Sequence, residues 1–357
     1  MSRKWIVALV GVLVIGGLAL SQKDALLSRL LDRALETRLS GDAMSDLEDG
    51  LHVVLCGAGG PMPAPNASGP CVAVIAGDRF FVVDAGTDGV RNIGRMRLPM
   101  GRIEAVFLTH FHSDHIDGLG ELATLRWVSE ANTEPLLVHG PTGVEQVVSG
   151  FNQAYAQDQR YRNEHHGDAV APLSGWGMQA RAFDALQQSE TVVLVDENDL
   201  IVEAMPVGHE PVAPAVAYRF RYKDRSVVIS GDTIAMQSMV TFANEVDLLV
   251  HEALAPNLVM QMNRAAEKTG NQVMQRVTLD ILDYHASPIE VAEIAQAADV
   301  GHLLYYHIVP PLVVPGQASL FLDGAEEVFA EYTIGVDGVW FSMPAGTSRI
   351  ERVRDGL

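Results

Sequence analysis

The chain has 357 residues, of which 48% are hydrophobic and 20% charged, so it can bury a substantial core and is too long for a minimal single-motif module. Acidic residues outnumber basic ones by 45 to 25, a formal charge of −20. Because phosphate binding depends on clustered Lys and Arg that release counterions, this balance argues against nucleic acid as a partner.

The N-terminus has the layout of a secretory signal. Arg3 and Lys4 precede an apolar stretch, residues 5–20. Ala19-Leu20-Ser21 matches a cleavage site poorly, so for residues 1–22 we favour an uncleaved membrane anchor over a cleaved signal peptide. Either would place the rest of the chain outside the cytoplasm, on the periplasmic or extracellular face. The remaining alternative is a buried N-terminal helix.

Residues 23–50 are predicted to be an amphipathic helix followed by a linker. Apolar residues recur at helical spacing between Asp24 and Ser40, and the next stretch, 41–50, is acidic and rich in small residues. The helix could pack on the domain, lie on a membrane surface or act as a stalk, and packing is the default expectation.

Residues 51–350 are predicted to form one domain. Short apolar segments between turn residues predict strands at 52–55, 72–75, 80–83, 103–108, 192–195, 200–206, 215–221, 226–229, 248–250 and 303–306, with helices at 120–128 and 288–298. Hairpins with helices between groups indicate an α/β (α+β) fold, in which two mixed β-sheets pack together with helices outside.

The two cysteines, Cys56 and Cys71, flank a Gly/Pro-rich turn between two predicted strands. A disulfide across the hairpin and a pair of buried free thiols both fit this placement. The turn begins Gly57-Ala-Gly-Gly-Pro61, which is not a phosphate-binding loop, because it lacks the Gly-Lys-Ser/Thr ending and its prolines would block the helix that should follow.

Four potential metal ligands follow the strand at 103–108 within six residues: His110, His112, Asp114 and His115. Imidazole and carboxylate are the usual ligands of zinc and similar metals. Alternating ligands on an extended loop can point two imidazoles one way and the Asp-His pair another. This arrangement suits two adjacent ions better than one.

Three further candidates stand where predicted strands end: His209, Asp232 and His307. A single histidine in such a place is more often structural than a ligand. Three such positions beside a four-ligand cluster favour the opposite interpretation.

The order of these motifs resembles the metallo-β-lactamase superfamily, within it the branch that holds ribonuclease Z and the zinc arylsulfatases. The matching segments are His-x-His-x-Asp-His at 110–115, Gly57–Pro63, Val83–Gly86, His209, Ser230–Thr233, His251–Ala253 and Tyr306-His307, spread over about residues 52–345. The resemblance implies an αββα sandwich.

The resemblance also implies two divalent metal ions, zinc being the expected one. One ion would be held by His110, His112 and His209. The other would be held by Asp114, His115 and His307, with Asp232 bridging the two. Two cations lower the pKa of a shared water, so that a bridging hydroxide can act as the nucleophile, and they clamp the substrate oxyanion.

Asp114, Asp232 and His285 are the catalytic residues that the resemblance implies. His285 matches the family histidine that binds no metal and acts as general acid or oxyanion stabiliser. Asp84 would orient a ligand imidazole through a hydrogen bond, and we interpret His251 as structural.

The substrate is predicted from departures as well as matches. Ribonuclease Z carries a basic arm, commonly between the positions of His209 and Asp232, and only 22 residues lie there in this chain. We therefore expect a small anionic ester, a sulfate or phosphodiester, as substrate. The alternatives are a ribonuclease Z-like endoribonuclease, a lactonase or β-lactamase, and a membrane-tethered binding module without catalysis. The segment Thr142–Phe183 could wall the pocket or form a surface helix and loop.

Overall fold

The computed structural model describes residues 23–37, 40–184 and 190–357, and the chain divides into two units after Ser45. The predicted membrane segment at 1–22 lies outside the described residues. In the first unit, residues 23–37 form helix α1, as the spacing of its leucines predicts. Among the helices described, none is both long and apolar enough to cross a membrane.

The second unit, Asp46–Leu357, holds the strands and the other helices. Its strands are β1 Gly50–Gly57, β2 Cys71–Ala76, β3 Arg79–Val83, β4 Ile103–Phe107, β5 Leu136–Pro141, β6 Met178–Phe183, β7 Val192–Glu197, β8 Leu200–Pro206, β9 Val216–Tyr222, β10 Arg225–Ile229, β11 Leu248–Leu254, β12 His302–Val309, β13 Tyr332–Ile334, β14 Val339–Pro344 and β15 Glu351–Asp355. Its helices are α2 Gly89–Arg95, α3 Ser113–Ile116, α4 Leu119–Ser129, α5 Val144–His166, α6 Gln237–Phe242, α7 Pro256–Thr269, α8 Gln272–Asp280, α9 Pro288–Ala297, α10 Gln317–Leu322 and α11 Ala325–Val328.

Two mixed sheets form the centre of this unit. Over the described residues, the first sheet has the strand order β15-β14-β1-β2-β3-β4-β5-β6 and the second β13-β12-β11-β10-β9-β8-β7. Strands β3, β4, β5 and β6 are parallel to one another, and so are β10, β11, β12 and β13, whereas the hairpins on the other side of each sheet are antiparallel. The predicted sandwich of two mixed sheets with helices outside is confirmed.

Alternate residues of the strands fill the space between the sheets. Phe107 of the first sheet packs edge-on against Phe220 of the second, with 5.4 Å between ring centroids, and Phe81 lies 6.0 Å from the same ring. Burying each such ring contributes roughly 1.5–3 kcal/mol. A second apolar layer lies outside the second sheet, where Val291 and Ala295 of α9 pack on it.

The structure resolves the question of the cysteines. Cys56 at the end of β1 and Cys71 at the start of β2 form a disulfide, with Cα atoms 5.0 Å apart. It closes the base of residues 57–70, which we call the site loop because its first residues reach the predicted metal ligands.

Candidate metal centre

The predicted ligands lie at strand ends or on the loops that follow them. His110 comes three residues after β4, His209 three after β8 and Asp232 three after β10, while His307 lies near the end of β12. His112 precedes the short helix α3, which contains two more of the predicted ligands, Asp114 and His115. Folding brings all seven side chains together from both sheets.

The first group consists of His110, His112, His209 and Asp232, whose ligand atoms all lie within 4.8 Å of one another. His112 Nδ1 lies 3.0 Å from His110 Nε2 and 3.5 Å from His209 Nε2. Asp232 Oδ2 lies 3.8 Å from Nε2 of both His110 and His209. Three imidazole nitrogens and one carboxylate oxygen therefore surround one point.

The second group consists of Asp114, His115 and His307, again within 4.8 Å. Asp114 Oδ2 lies 3.4 Å from His307 Nε2 and 3.7 Å from His115 Nε2. Asp232 reaches this group too, because its Oδ1 is 3.4 Å from His115 Nε2 and its Oδ2 is 3.4 Å from His307 Nε2. The carboxylate of Asp232 thus lies between the two groups.

Hydrogen bonds at Nδ1 fix the orientation of three of these imidazoles. His115 Nδ1–H donates to Asp84 Oδ2 at 2.8 Å. Thr109 Oγ1 donates to the same oxygen at 2.8 Å, and it accepts from His110 Nδ1–H at 3.0 Å. His209 Nδ1–H donates to the carbonyl of Tyr284 at 2.9 Å. In the neutral imidazole each bond puts the proton on Nδ1 and leaves the Nε2 lone pair to face the site.

Asp84 also anchors the ligand loop itself. Its Oδ1 accepts the backbone N–H of Thr109 at 2.8 Å, and its backbone has a φ of 57°, a left-handed conformation that Asp and Asn adopt more readily than most residues. The side chain is almost fully buried. One carboxylate thus holds both the start of the loop and the imidazole of His115.

His307 owes its direction to a bulge. The pairing of β11 with β12 shifts register after Glu252, which leaves His307 without a partner, and its φ is 44°. A bulge turns a side chain away from the regular alternation of a strand. His307 thereby reaches Asp114 and Asp232.

His285 and Glu252 form a buried pair at the edge of the second group. His285 Nδ1–H donates to Glu252 Oε1 at 2.9 Å, and the same oxygen accepts the backbone N–H of Thr233 at 3.1 Å. The ligand atom of His285 lies within 4.8 Å of those of Asp232 and His307. Two residues after His285, the N-cap Ser287 forms a capping box with Glu290, which fixes the start of α9 and thereby the backbone next to His285.

Charge and burial act together on the pKa values at this site. Burial, reinforced by the neighbouring imidazole of His115, holds the pKa of His110 well below its usual value. Burial alone would raise the pKa of Asp232, but attraction to His307 and His115 outweighs it and holds that pKa well below the usual value. Asp232 and Asp84 likewise overcome burial and raise the pKa of His115 well above normal. Metal binding would release that proton.

The donor set fits cations. His115 Nε2 and Asp232 Oδ1 are buried and have no hydrogen-bond partner among the described residues. Buried polar atoms are normally satisfied, and imidazole and carboxylate groups are the donors that zinc takes. The neutral His110 and the ionised Asp232 are also in the protonation states that coordination requires.

Sequence reasoning missed the part played by Glu252. Its neighbour His251, which was considered instead, is fully buried and bonds through Nδ1 to the carbonyl of Glu252. The only available signal was the His-Glu-Ala segment, in which strand alternation lets just one of the two side chains face the site. In the segment 142–183, helix α5 fills most of the length, and Tyr155 lies against Gly120 of α4.

Comparison with known proteins gives consistent matches. Residues 65–268 match the family model described as the metallo-beta-lactamase superfamily. The chain is 32% identical over 289 residues to a protein named Ribonuclease Z from Mycolicibacterium paratuberculosis, covering 80% of this chain and 96% of that protein. A Ribonuclease Z of Mycobacterium sp. strain KMS is 33% identical over 270 residues, 75% of this chain and 87% of that protein.

Solved structures share the fold. The metallo-beta-lactamase fold protein YhfI from Bacillus subtilis aligns with a TM-score of 0.58 at 22% identity, over 83% of this chain and all of that one. Human tRNase Z, short form, aligns with a TM-score of 0.58 at 21% identity, over 82% of this chain and 99% of that one.

Proposed function

The chain belongs to the metallo-β-lactamase superfamily, and we propose that it is a metal-dependent endoribonuclease that hydrolyses phosphodiester bonds in RNA. The observation that carries this proposal is the 32% identity to a Ribonuclease Z over 80% of the chain. We assign the activity to residues 51–350 and keep the division into 1–22, 23–50 and 51–350 as part of the proposal.

Three predictions from the sequence are therefore corrected. The small anionic ester of arylsulfatase type is wrong as the substrate, and so is the expectation that nucleic acid is an unlikely partner, because the relatives at 31–33% identity are named ribonucleases. The prediction of an exported, membrane-anchored protein is also wrong, because it is contradicted by the similarity to proteins named Ribonuclease Z. A formal charge of −20 averages over the whole chain and does not describe the surface that meets a substrate.

Part of that negative charge belongs to the site. We propose that His110, His112 and His209 hold one zinc ion, that Asp114, His115 and His307 hold a second, and that Asp232 bridges them, in agreement with the two groups of ligand atoms. Two divalent ions would offset about four negative charges. When bound, such ions supply Lewis acidity toward a phosphoryl oxygen and lower the pKa of water.

His285 is proposed to give the proton that the leaving oxygen needs. Glu252 accepts its Nδ1–H, so Nε2 is the atom that faces Asp232 and His307. Burial would lower the pKa of His285, but the charge and hydrogen bond of Glu252 outweigh it and raise that pKa to about 9. The pKa of His285 would fall when cations are bound nearby. The Glu252 carboxylate favours the protonated imidazole, the form that a general acid requires.

Glu252 supports this role because it is fully buried and one of its oxygens, Oε1, binds several neighbouring groups. Its Oε1 also lies 3.3 Å from the backbone N–H of Ala286, so the carboxylate fixes both the ring and the backbone next to it. Asp114 is proposed to keep its carboxylate toward the imidazoles of His115 and His307.

The direct experiment compares three substrates on the zinc-loaded chain: a transcript containing a tRNA, bis(p-nitrophenyl) phosphate and an aryl sulfate. We expect chelator-sensitive cleavage of the RNA and of the small diester, and no turnover of the sulfate. Asp232→Ala should abolish both activities and lower zinc content. Zinc binding without cleavage of RNA would contradict the proposal, and a chain that binds no metal and cleaves nothing would favour a binding module.

A further inference from the structure

The site loop, residues 57–70, touches one of the proposed ligands directly. A β-carbon on Gly60 would lie 3.1 Å from His307 Cε1 and 3.2 Å from its Nε2, closer than nearly all real contacts. The preceding residue, Gly59, forms a bridge to Ile308. The backbone of the loop at Gly60 therefore forms a wall close to Cε1 and Nε2 of the His307 ring.

His307 depends on this wall more than the other ligands do. His110, His115 and His209 each have a hydrogen bond at Nδ1 that sets the direction of the ring. His307 Nδ1 is buried and, among the described residues, has no hydrogen-bond partner. Its ring is oriented by the bulge in β12, by packing and by a contact at the other nitrogen, where Nε2 lies 3.4 Å from Asp114 Oδ2.

Asp337, which lies between β13 and β14, ties down both ends of the site loop. Its Oδ1 accepts the backbone N–H of Ala58 at 2.9 Å, and its Oδ2 accepts that of Ser68 at 2.9 Å. Asn92 of α2 adds a side-chain bond to Oδ2 at 2.9 Å and another to the carbonyl of Cys56 at 2.8 Å. A carboxylate with two oxygens can make these bonds at once, whereas an amide cannot.

We propose that Asp337 is a positioning residue for the metal centre, acting through the site loop on the ring of His307. It holds the entry and exit of the loop, the loop holds Gly60 against the imidazole, and the imidazole presents Nε2 to the second group of ligands. This inference rests on the proposed metal centre and is independent of which substrate is cleaved.

Two variants test the two steps. Asp337→Asn places an amide N–H₂ opposite the backbone N–H of Ala58 or of Ser68, which then loses its acceptor. The disulfide Cys56–Cys71 still keeps the ends of the loop together. The variant therefore changes the orientation of the loop and leaves it closed. Gly60→Ala presses a methyl group on the His307 ring. It acts at the ring itself, and therefore tests whether the loop positions His307 even if Asp337→Asn does not fold.

The measurement is the affinity for each of two zinc ions, by competition with a chromophoric chelator on the full chain. We expect both variants to bind one ion as the wild type does, with a dissociation constant for the other raised roughly ten- to hundredfold, the usual effect of losing a group that orients a ligand. Cobalt absorption should show the same loss of one site.

Matched controls separate positioning from general destabilisation. Asp247 also accepts a backbone N–H, that of Ser226 at 2.7 Å, and pairs with Arg225 at 2.9 Å. Asp247→Asn should lower stability and leave both affinities unchanged. Gly150 has open space around it, so Gly150→Ala should leave both zinc affinities unchanged.

Unchanged affinities in Gly60→Ala or in folded Asp337→Asn would overturn the proposal. An equal loss of zinc affinity in Asp247→Asn would also overturn the proposal. A wild-type chain that binds no zinc would instead refute the proposed metal centre itself, so the two failures are distinguishable.

Discussion

The substitution Asp84→Asn tests how the ligand shell is held together. Asn keeps the shape of the side chain and tolerates the backbone φ of 57°, so the change is confined to hydrogen bonding. The amide oxygen can still accept from the N–H of Thr109. The amide N–H₂ then faces His115 Nδ1, which has to become an acceptor. The proton moves to Nε2, the nitrogen that the metal needs.

Two magnitudes follow. Losing a buried charge-assisted hydrogen bond costs about 1.5–3 kcal/mol of stability in the metal-free protein. Zinc affinity should fall roughly ten- to hundredfold, because the neutral imidazole of His115 then carries its proton on Nε2 and has to change to the other tautomer before it can coordinate.

The assay combines urea unfolding of the metal-free chain with chelator competition for zinc. Asp88→Asn is the control, because Asp88 has a similar φ of 63° and an exposed side chain. Wild-type zinc affinity in Asp84→Asn would refute the reasoning that a hydrogen bond sets the tautomer of His115.

Three further predictions concern proton transfer and stability. Glu252→Gln should lower the pKa of His285 and move the alkaline limb of the pH–rate profile to lower pH, since the general acid is lost as pH rises through its pKa; an unmoved limb contradicts this role. Burial lowers the pKa of His139 to about 4, so as pH falls below about 6.5 the unfolded state takes up a proton before the folded state does. Between pH 6.5 and 4 the free energy of unfolding, measured with urea, should therefore fall by about 1–3 kcal/mol more in the wild type than in His139→Phe. Reducing the disulfide Cys56–Cys71, which spans 15 residues, should lower the free energy of unfolding by about 3 kcal/mol, and a loss under about 1 kcal/mol would contradict that value.

Much of the fold could be read from local pattern. β8 begins and ends where the alternation of apolar residues predicts, at Leu200 and Pro206. β5, Leu136–Pro141, was not predicted because its second half is His-Gly-Pro, and Gly and Pro are rare in strands. Helix α5 was left open between a helix and a pocket wall, because only Val144 and Val148 of its 23 residues are buried.

The candidate ligands that the fold brings together could be picked out from the sequence, because ligand types in close order at strand ends have few other uses. The groups that orient them were harder to predict, since Glu252 and Asp337 act through backbone contacts that only tertiary structure brings together. The substrate was mispredicted from the short segment between His209 and Asp232 and from net charge, which counts every carboxylate alike. Glu203, for example, is buried and paired with Arg219, so it adds little to the surface.

The measurement that tests the central proposal most directly is cleavage of a tRNA-containing transcript by the zinc-loaded chain, with and without chelator, beside His285→Asn. We predict discrete cleavage that stops with chelator, returns with zinc and falls sharply in His285→Asn. Intact RNA under conditions in which the chain holds two zinc ions would contradict the proposed function.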